Sequence, residues 1–424
     1  MFATPTPTEH HAVPALVIFL ATYLFLTGLR LPRIGLDRTG AALAGAVAMV
    51  VFGVVGTTQV AQLAINWETI FLLLGMMILS SALARAGVFR WISYRALKRA
   101  QGAQGLLALL VAVAGGLSAL MVNDTVCLMC TPLVVALIDD AELPPWPFLL
   151  GLAFASNAGS VATPTGNPQN MVIATLSGIS FPTFTAALAL PALVALASVF
   201  LVLEFEFRAE LRATPLSVHL PPPTVDLVAA STCAAVLVLV VAGFFLGQSL
   251  AWTAMAGAAL VLLFTPGPAK RTLEGVDGTL LLFFAALFVV TFGIAQAGIA
   301  ERLFDALEPL FGTTPGNQIV RFGAFAIAGS QLVSNVPFVL LASRWIPQMA
   351  DPHLSWLALA LTTTLAGNLT PVASVANLIV LELAGQKGQI PFLRFLRTGI
   401  VATFLPLAAG MSVLWIERSL GLLK

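Results

Sequence analysis

Apolar runs of about twenty residues, the length a helix needs to cross the hydrocarbon core of a bilayer, recur along this chain from "VPALVIFLATYLFLTGL" at residues 13–29 onward. Of its 424 residues 59% are hydrophobic and only 9% charged, whereas a soluble domain carries about 25% charged residues. One soluble core cannot hide that much apolar side chain, so the solvent is lipid. The net charge of +1 offers no footprint for nucleic acid. The three cysteines, Cys127, Cys130 and Cys233, lie in apolar runs and suit neither a disulfide framework nor a zinc site. No basic region precedes the first run, which therefore reads as a retained span and not as a cleaved signal.

Read by length, the runs predict spans near 12–30, 39–57, 67–86, 147–178, 183–204, 227–247, 250–266, 279–298, 353–384 and 395–418. Those at 147–178 and 353–384 are too long for single helices and are expected to break in the middle. Two further apolar regions, 104–138 and 318–347, are interrupted by "VNDTVCLMCTP" and "VSNVPFVLLAS". Each has room for two short arms, so each is expected to be a re-entrant hairpin. With the loop after the first span taken as cytoplasmic, fifteen of the 20 Lys and Arg residues fall inside and five outside, as the positive-inside rule requires. Both termini then lie outside a cell membrane, the inner or plasma membrane, that the chain crosses ten times.

The interruptions recur at nearly one offset. "AGAVAMVVF" around Gly45 resembles "AGAALVLLF" around Gly257, and "ARAG" at 84–87 resembles "AQAG" at 295–298. Asn123-Asp124-Thr125 falls on Ser334-Asn335-Val336, and "TPTGNPQNMVI" from Thr163 aligns with "TPVASVANLIV" from Thr370. Four matches in one order point to an internal duplication. The fold class expected is an all-α membrane protein of two inverted-topology repeats, 1–204 and 227–424. Each repeat has five membrane crossings, one of them broken, plus one re-entrant hairpin. Residues 205–226, polar and proline-rich, form a cytoplasmic linker. Inverted repeats with broken helices are a recurrent design of secondary transporters, with the site at the repeat interface.

Unpaired backbone in lipid survives only where protein or a water-filled cavity satisfies it, so both hairpin tips and both breaks are candidates for one site. Asn123, Thr125, Ser334 and Asn335 supply neutral oxygens and amides for a dehydrated sodium ion or a polar solute. Thr163, Asn167, Asn170, Thr370, Ser374 and Asn377 belong to the breaks, and Gly166 and Ala373 are small enough to let a ligand approach the backbone. Asn157 and Asn368 are secondary candidates, equally suited to hydrogen bonding between helices. Asp124 is the one acid at a tip, and an ionisable residue within a membrane is a functional hypothesis by default. Among few charges its proton affinity would rise, as a proton carrier needs, although an aspartate there can also cap the second arm. Cys127 and Cys130 read as packing residues, and Glu68, Glu204 and Glu382 as solvated carboxylates at span ends.

In this order of hairpin, break, hairpin and break the chain resembles the ion transporter superfamily, which joins divalent-anion/sodium symporters, ArsB-type arsenite pumps and NhaD-type sodium/proton antiporters. The likeness is sharpest at residues 121–132, 156–173, 330–341 and 366–381. The anion symporters carry Ser-Asn-Thr at both tips, serine and asparagine holding sodium and threonine meeting the substrate carboxylate. Here the second threonine is replaced by Val336, and the tips look closer to the ArsB branch, although the aspartates usual there are Asn157 and Asn368. The resemblance implies an ion-coupled, proton-linked secondary transporter of a small inorganic anion or metalloid such as arsenite. The alternatives are a sodium/proton antiporter, a sodium-coupled dicarboxylate symporter or an ion channel. No cofactor is expected beyond a coupling ion, H+ or Na+. The partners expected are the ion or small-molecule substrate, the lipid bilayer, a second copy in a homodimer and, in some settings, a separate ATPase subunit; no nucleic acid is expected. An intramembrane hydrolase is disfavoured, because no nucleophile motif occurs and His10, His11, His219 and His353 fall in loops or at span ends.

The basic-residue count makes one direct prediction. A reporter fused after Lys424 should read as extracytoplasmic and one inserted near Thr214 as cytoplasmic; the same side for both would remove the odd number of crossings per half.

Overall fold

In lipid only pairing within the protein satisfies every backbone N–H and C=O group, and the apolar runs accordingly fold as helices. The protein, a computed structural model, is described over residues 11–27, 37–213 and 222–423, and among these residues there is no strand. Among the described residues six helices are long and apolar enough to cross a membrane: Trp67–Arg85, Gly102–Leu120, Phe181–Glu206, Leu227–Phe245, Gly278–Gln296 and Phe392–Ser419. Ala12–Leu26, Arg38–Val51 and Leu250–Phe264 are shorter apolar helices. The chain is a multi-pass membrane protein, and exposed side chains such as Leu239, Leu246 and Trp252 give it an apolar outer surface.

Apart from helical pieces of six residues or fewer, the described chain forms eighteen helices, nine on each side of residues 214–221. The first nine are α1 (Ala12–Leu26), α2 (Arg38–Val51), α3 (Trp67–Arg85), α4 (Val88–Leu97), α5 (Gly102–Leu120), α6 (Asn123–Asp140), α7 (Pro145–Ser160), α8 (Pro168–Ser177) and α9 (Phe181–Glu206). The second nine are α10 (Leu227–Phe245), α11 (Leu250–Phe264), α12 (Gly278–Gln296), α13 (Ile299–Phe311), α14 (Pro315–Val333), α15 (Asn335–Ala342), α16 (Pro352–Ala366), α17 (Val375–Leu383) and α18 (Phe392–Ser419). Matched helices begin alike. Asn66 caps α3 by accepting the Thr69 N–H at 2.9 Å, and Asp277 caps α12 by accepting the Leu280 N–H at 3.0 Å. Such caps satisfy N–H groups that a helix start leaves open.

Packing follows the same pairing. Helix α2 rests on α12 as α11 rests on α3, and α5 packs on α7 as α14 packs on α16. Helix α6 meets α17 as α15 meets α8, whereas α9 meets its own counterpart α18. One group of helices comprises α1–α3 and α10–α12, the other α5–α9 and α14–α18, and amphipathic α4 and α13 lead from one group to the other. At the surface Lys387 pairs with Asp139, and Arg394 pairs with Glu210 while stacking 3.8 Å over the Trp146 ring, fastening second-half to first-half elements.

Three expectations differ from what is observed. The arms flanking the first tip are not short: α5 has 19 residues and α6 has 18, about 28 and 27 Å at the helical rise. The polar residues at the tip start α6 instead of ending an arm early, and the helix runs through Pro132 to Asp140. Length alone therefore does not require the chain to turn back. The second pair is uneven, 19 residues in α14 and 8 in α15. Helix α9 continues past residue 204 to Glu206, and a helical turn follows at Arg208–Ala213, inside the expected linker. Arg30, Arg33 and Thr214, on which the sidedness reading leans, lie outside the described residues.

Two crossings bring backbones together. A Cβ on Gly159 would sit 2.1 Å from the Gly115 carbonyl oxygen where α7 crosses α5, and one on Gly75 would sit 2.6 Å from the Ala254 carbonyl carbon where α3 crosses α11. Small residues at such crossings are the usual means of close helix packing in membranes. Gly159→Ala should destabilise the protein by about 1–3 kcal/mol through overpacking, seen as a lower melting temperature in detergent. Gly116→Ala, with nothing within 4 Å of the added methyl, should melt like the unaltered protein.

Candidate functional site

The two broken helices satisfy their freed carbonyls in the same way. The Asn170 side chain donates through Nδ2 to the Ser160 and Thr163 carbonyls at 3.0 and 3.1 Å. That of Asn377 donates to the Gly367 and Thr370 carbonyls at 2.7 and 3.1 Å. Each amide thus clamps the end of the helix before its break. Asn167 caps α8 by accepting the Asn170 N–H at 2.8 Å, and Pro168 starts that helix without needing a donor. Thr163 donates to the Ala119 carbonyl at the end of α5 at 2.5 Å, and Thr370 donates to Gln331 Oε1 of α14 at 2.9 Å. Breaks and tips are therefore tied to each other.

Gly166 completes that tie. Its carbonyl accepts the Asn123 N–H at 2.9 Å, the first of α6. A Cβ there would lie 2.2 Å from the Ser160 carbonyl oxygen, which explains the glycine. It packs on Ser160 and does not line the cavity, so a side chain at this position would crowd backbone and not a ligand. Asn157 and Asn368, matched in sequence, touch each other: Asn157 Nδ2 donates to Asn368 Oδ1 at 2.9 Å. Both are buried.

The tips open on one cavity of about 300 Å³. Its walls include Asn123, Asp124, Thr125, Ser334, Asn335, Ala373 and Ser374 from the first-named candidates. Thr163, Gly166, Asn167, Asn170, Thr370 and Asn377 stand behind that wall, in the breaks. The opposite wall comes from α2, α3 and α12, and the cavity runs from exposed Asp277 down to buried Asn123 and Asn335. Its charged lining among the described residues is Arg38, Asp124 and Asp277.

Each tip holds oxygens without partners. Asn123 Oδ1 and Asn335 Oδ1 are buried and take no hydrogen bond, and the same is true of the hydroxyls of Ser118 and Ser330, each five residues earlier in the preceding arm. A buried acceptor without a donor costs about 1–3 kcal/mol; of these four residues Asn123 and Asn335 line the cavity, and Ser118 and Ser330 lie outside its lining. Ser118 and Ser330 were not anticipated. They appear when the halves are aligned so that Asn123 meets Asn335, the first residues of α6 and α15, one position away from the alignment that sets Asn123 on Ser334. Ser334 instead takes a φ of +75°, a conformation that costs a residue other than glycine about 1–3 kcal/mol and clusters at ligand sites.

Asp124 lies in the first turn of α6, partly exposed to the cavity, and no side chain caps this helix. Its carboxylate is thus not used as the cap that an aspartate often provides. Cys127 and Cys130 are buried away from the cavity, Cys127 Sγ lying 3.0 Å from Ser156 Oγ. The site can offer a solute acceptor oxygens and a single tip carboxylate. It offers no thiol.

Known proteins agree with this architecture. A family profile described as "Citrate transporter" (CitMHS) matches residues 16–366. An uncharacterized transporter of Mycobacterium tuberculosis (strain CDC 1551 / Oshkosh) is 32% identical, covering 96% of this chain and 99% of its own length. The silicon efflux transporter LSI3 of Oryza sativa subsp. japonica is 29% identical over 90% of this chain and 93% of its own. The crystal structure of the Alcanivorax borkumensis YdaH transporter, 17% identical, superposes with a TM-score of 0.59 over 96% of this chain and 98% of that one, which speaks for the fold. The chain belongs to the CitMHS citrate transporter family, within the ion transporter superfamily.

Proposed function

We propose that this protein is a proton-linked secondary active transporter of a small uncharged metalloid hydroxide, of which arsenite and silicic acid are examples. The observation that carries this reading is the pair of buried, unpartnered amide oxygens, Asn123 Oδ1 and Asn335 Oδ1, on two residues that line one cavity. An amide oxygen only accepts hydrogen bonds. A neutral hydroxide offers several O–H donors and meets both, while a carboxylate or sulfate offers acceptors and would meet neither. The charged lining speaks the same way, since two carboxylates and one guanidinium form a poor seat for a multiply charged anion such as citrate. The silicon transporter among the relatives moves an element whose hydroxide is neutral near pH 7, which supports this class over organic anions.

Asp124 is the proton carrier in this reading. A carboxyl that can both give up and take back a proton at the tip couples the occupancy of the cavity to the proton gradient. The two halves are inverted repeats whose tips and breaks form one site near the bilayer midplane, as in other secondary transporters. A second reading has its own observation: the four oxygens of Ser118, Asn123, Ser330 and Asn335 are also hard ligands suited to sodium, which would make sodium the coupling ion.

The test is uptake into proteoliposomes of arsenite, silicic acid, citrate and sulfate, with a pH gradient or a sodium gradient imposed in turn. Arsenite flux should respond to the pH gradient and not to sodium, and citrate should be left untouched. Sodium-driven flux would favour the second reading, and citrate uptake without metalloid uptake would overturn the first. Asp124→Asn keeps the shape and loses the titration, so it should reduce pH-driven flux to background while leaving yield and melting unchanged. The pair Cys127→Ser and Cys130→Ser should retain arsenite transport, because neither thiol reaches the cavity.

A further inference from the structure

Asn157 lies near the end of α7, is buried, and does not itself line the cavity, although it stands directly behind two wall residues, Asn123 and Ser374. Both ends of its amide are used. Its Oδ1 accepts from Asn123 Nδ2 at 3.1 Å and from Ser374 Oγ at 3.0 Å. Its Nδ2 donates to Asn368 Oδ1 at 2.9 Å and to Asn377 Oδ1 at 3.2 Å. These four bonds use its two donors and two acceptor positions in full.

The direction of these bonds is not free. Asn377 must point nitrogen at the Gly367 and Thr370 carbonyls, and Asn368 Nδ2 donates to the Ala402 carbonyl at 3.3 Å. A carbonyl can only accept, so both amides are forced to turn their oxygens toward Asn157. Asn157 has to answer with nitrogen, which leaves its own oxygen facing Asn123. Asn123 in turn has to give its nitrogen to that oxygen, and its Oδ1 is left without a partner on a residue that lines the cavity.

We infer that Asn157 is a positioning residue that sets the hydrogen-bonding sense of the first tip: backbone carbonyls of the second half, acting through Asn157, make Asn123 present an acceptor to the transported species. The relay stands on geometry alone; only the identity of the species it selects rests on the function proposed above. An Asn123 amide turned the other way would offer donors and suit an oxyanion. The choice between donor-rich and acceptor-rich solutes is therefore made at Asn157, behind the wall, by a residue that touches neither kind.

The relay is tested by reversing the usual order of substitutions. Asp is isosteric with Asn but only accepts when ionised, so Asn123→Asp sets oxygen against Asn157 Oδ1, and Asn157 cannot turn to relieve it. At alkaline pH Asn123→Asp should melt several degrees below Asn123→Ala in detergent. If Asn123 merely fills space the isostere melts higher, and that order overturns the inference. In proteoliposomes with arsenite as probe, Asn157→Ala should raise KM by about tenfold or more, the scale of a lost polar partner, with Vmax within about threefold of the unaltered protein. A fall in Vmax at unchanged KM, as a loss of folded protein alone would produce, overturns it as well. Absence of arsenite uptake by the unaltered protein overturns the proposed function instead, and the melting order then decides the relay by itself.

Discussion

A helix interrupted within lipid must find donors for its last carbonyls and acceptors for its next N–H groups inside the protein, since each one left bare costs several kcal/mol. This chain has four interruptions and satisfies them largely from one another. The Gly166 carbonyl takes the Asn123 N–H, Thr163 reaches the end of α5, and Asn170 and Asn377 hold the carbonyls on the near side of their own breaks. Such mutual satisfaction works only if tips and breaks are brought together. The cavity sits where they meet, walled by Asn123, Asp124, Ser334, Asn335 and Ser374.

That the interruptions converge is legible in the sequence, because amides and prolines inside apolar runs recur at nearly one offset. Their division of labour is not. Nothing in the letters separates Asn170 and Asn377, spent on carbonyls, from Asn123 and Asn335, which line the cavity with their oxygens unpartnered. The alignment of the tips is likewise ambiguous by one residue, since each tip holds a run of small polar residues in which a serine or an aspartate can stand in for an asparagine. Helix starts at Asn123 and Asn335 resolve it and bring Ser118 onto Ser330. Helices α4 and α13 escape a search for twenty apolar residues because they are short and amphipathic, yet they begin at Val88 and Ile299, directly after the matched "ARAG" and "AQAG".

The exchange between halves duplicates oxygens but not charge. Ser118 and Asn123 have their equals in Ser330 and Asn335, whereas Asp124 faces Val336 in that alignment and Thr125 faces Pro337. Backbone differs as well: Ser334 holds a positive φ where Val122, before the first tip, does not. A symmetric pair of acceptors suits a solute or ion that bridges the two tips, and a single carboxylate beside one of them allows only one titrating group at that position. Residues from matched stretches of both halves accordingly share one cavity wall. The departures from that match, at Asp124 and Ser334, give the cavity wall one carboxylate and one positive-φ position that have no counterpart in the other half.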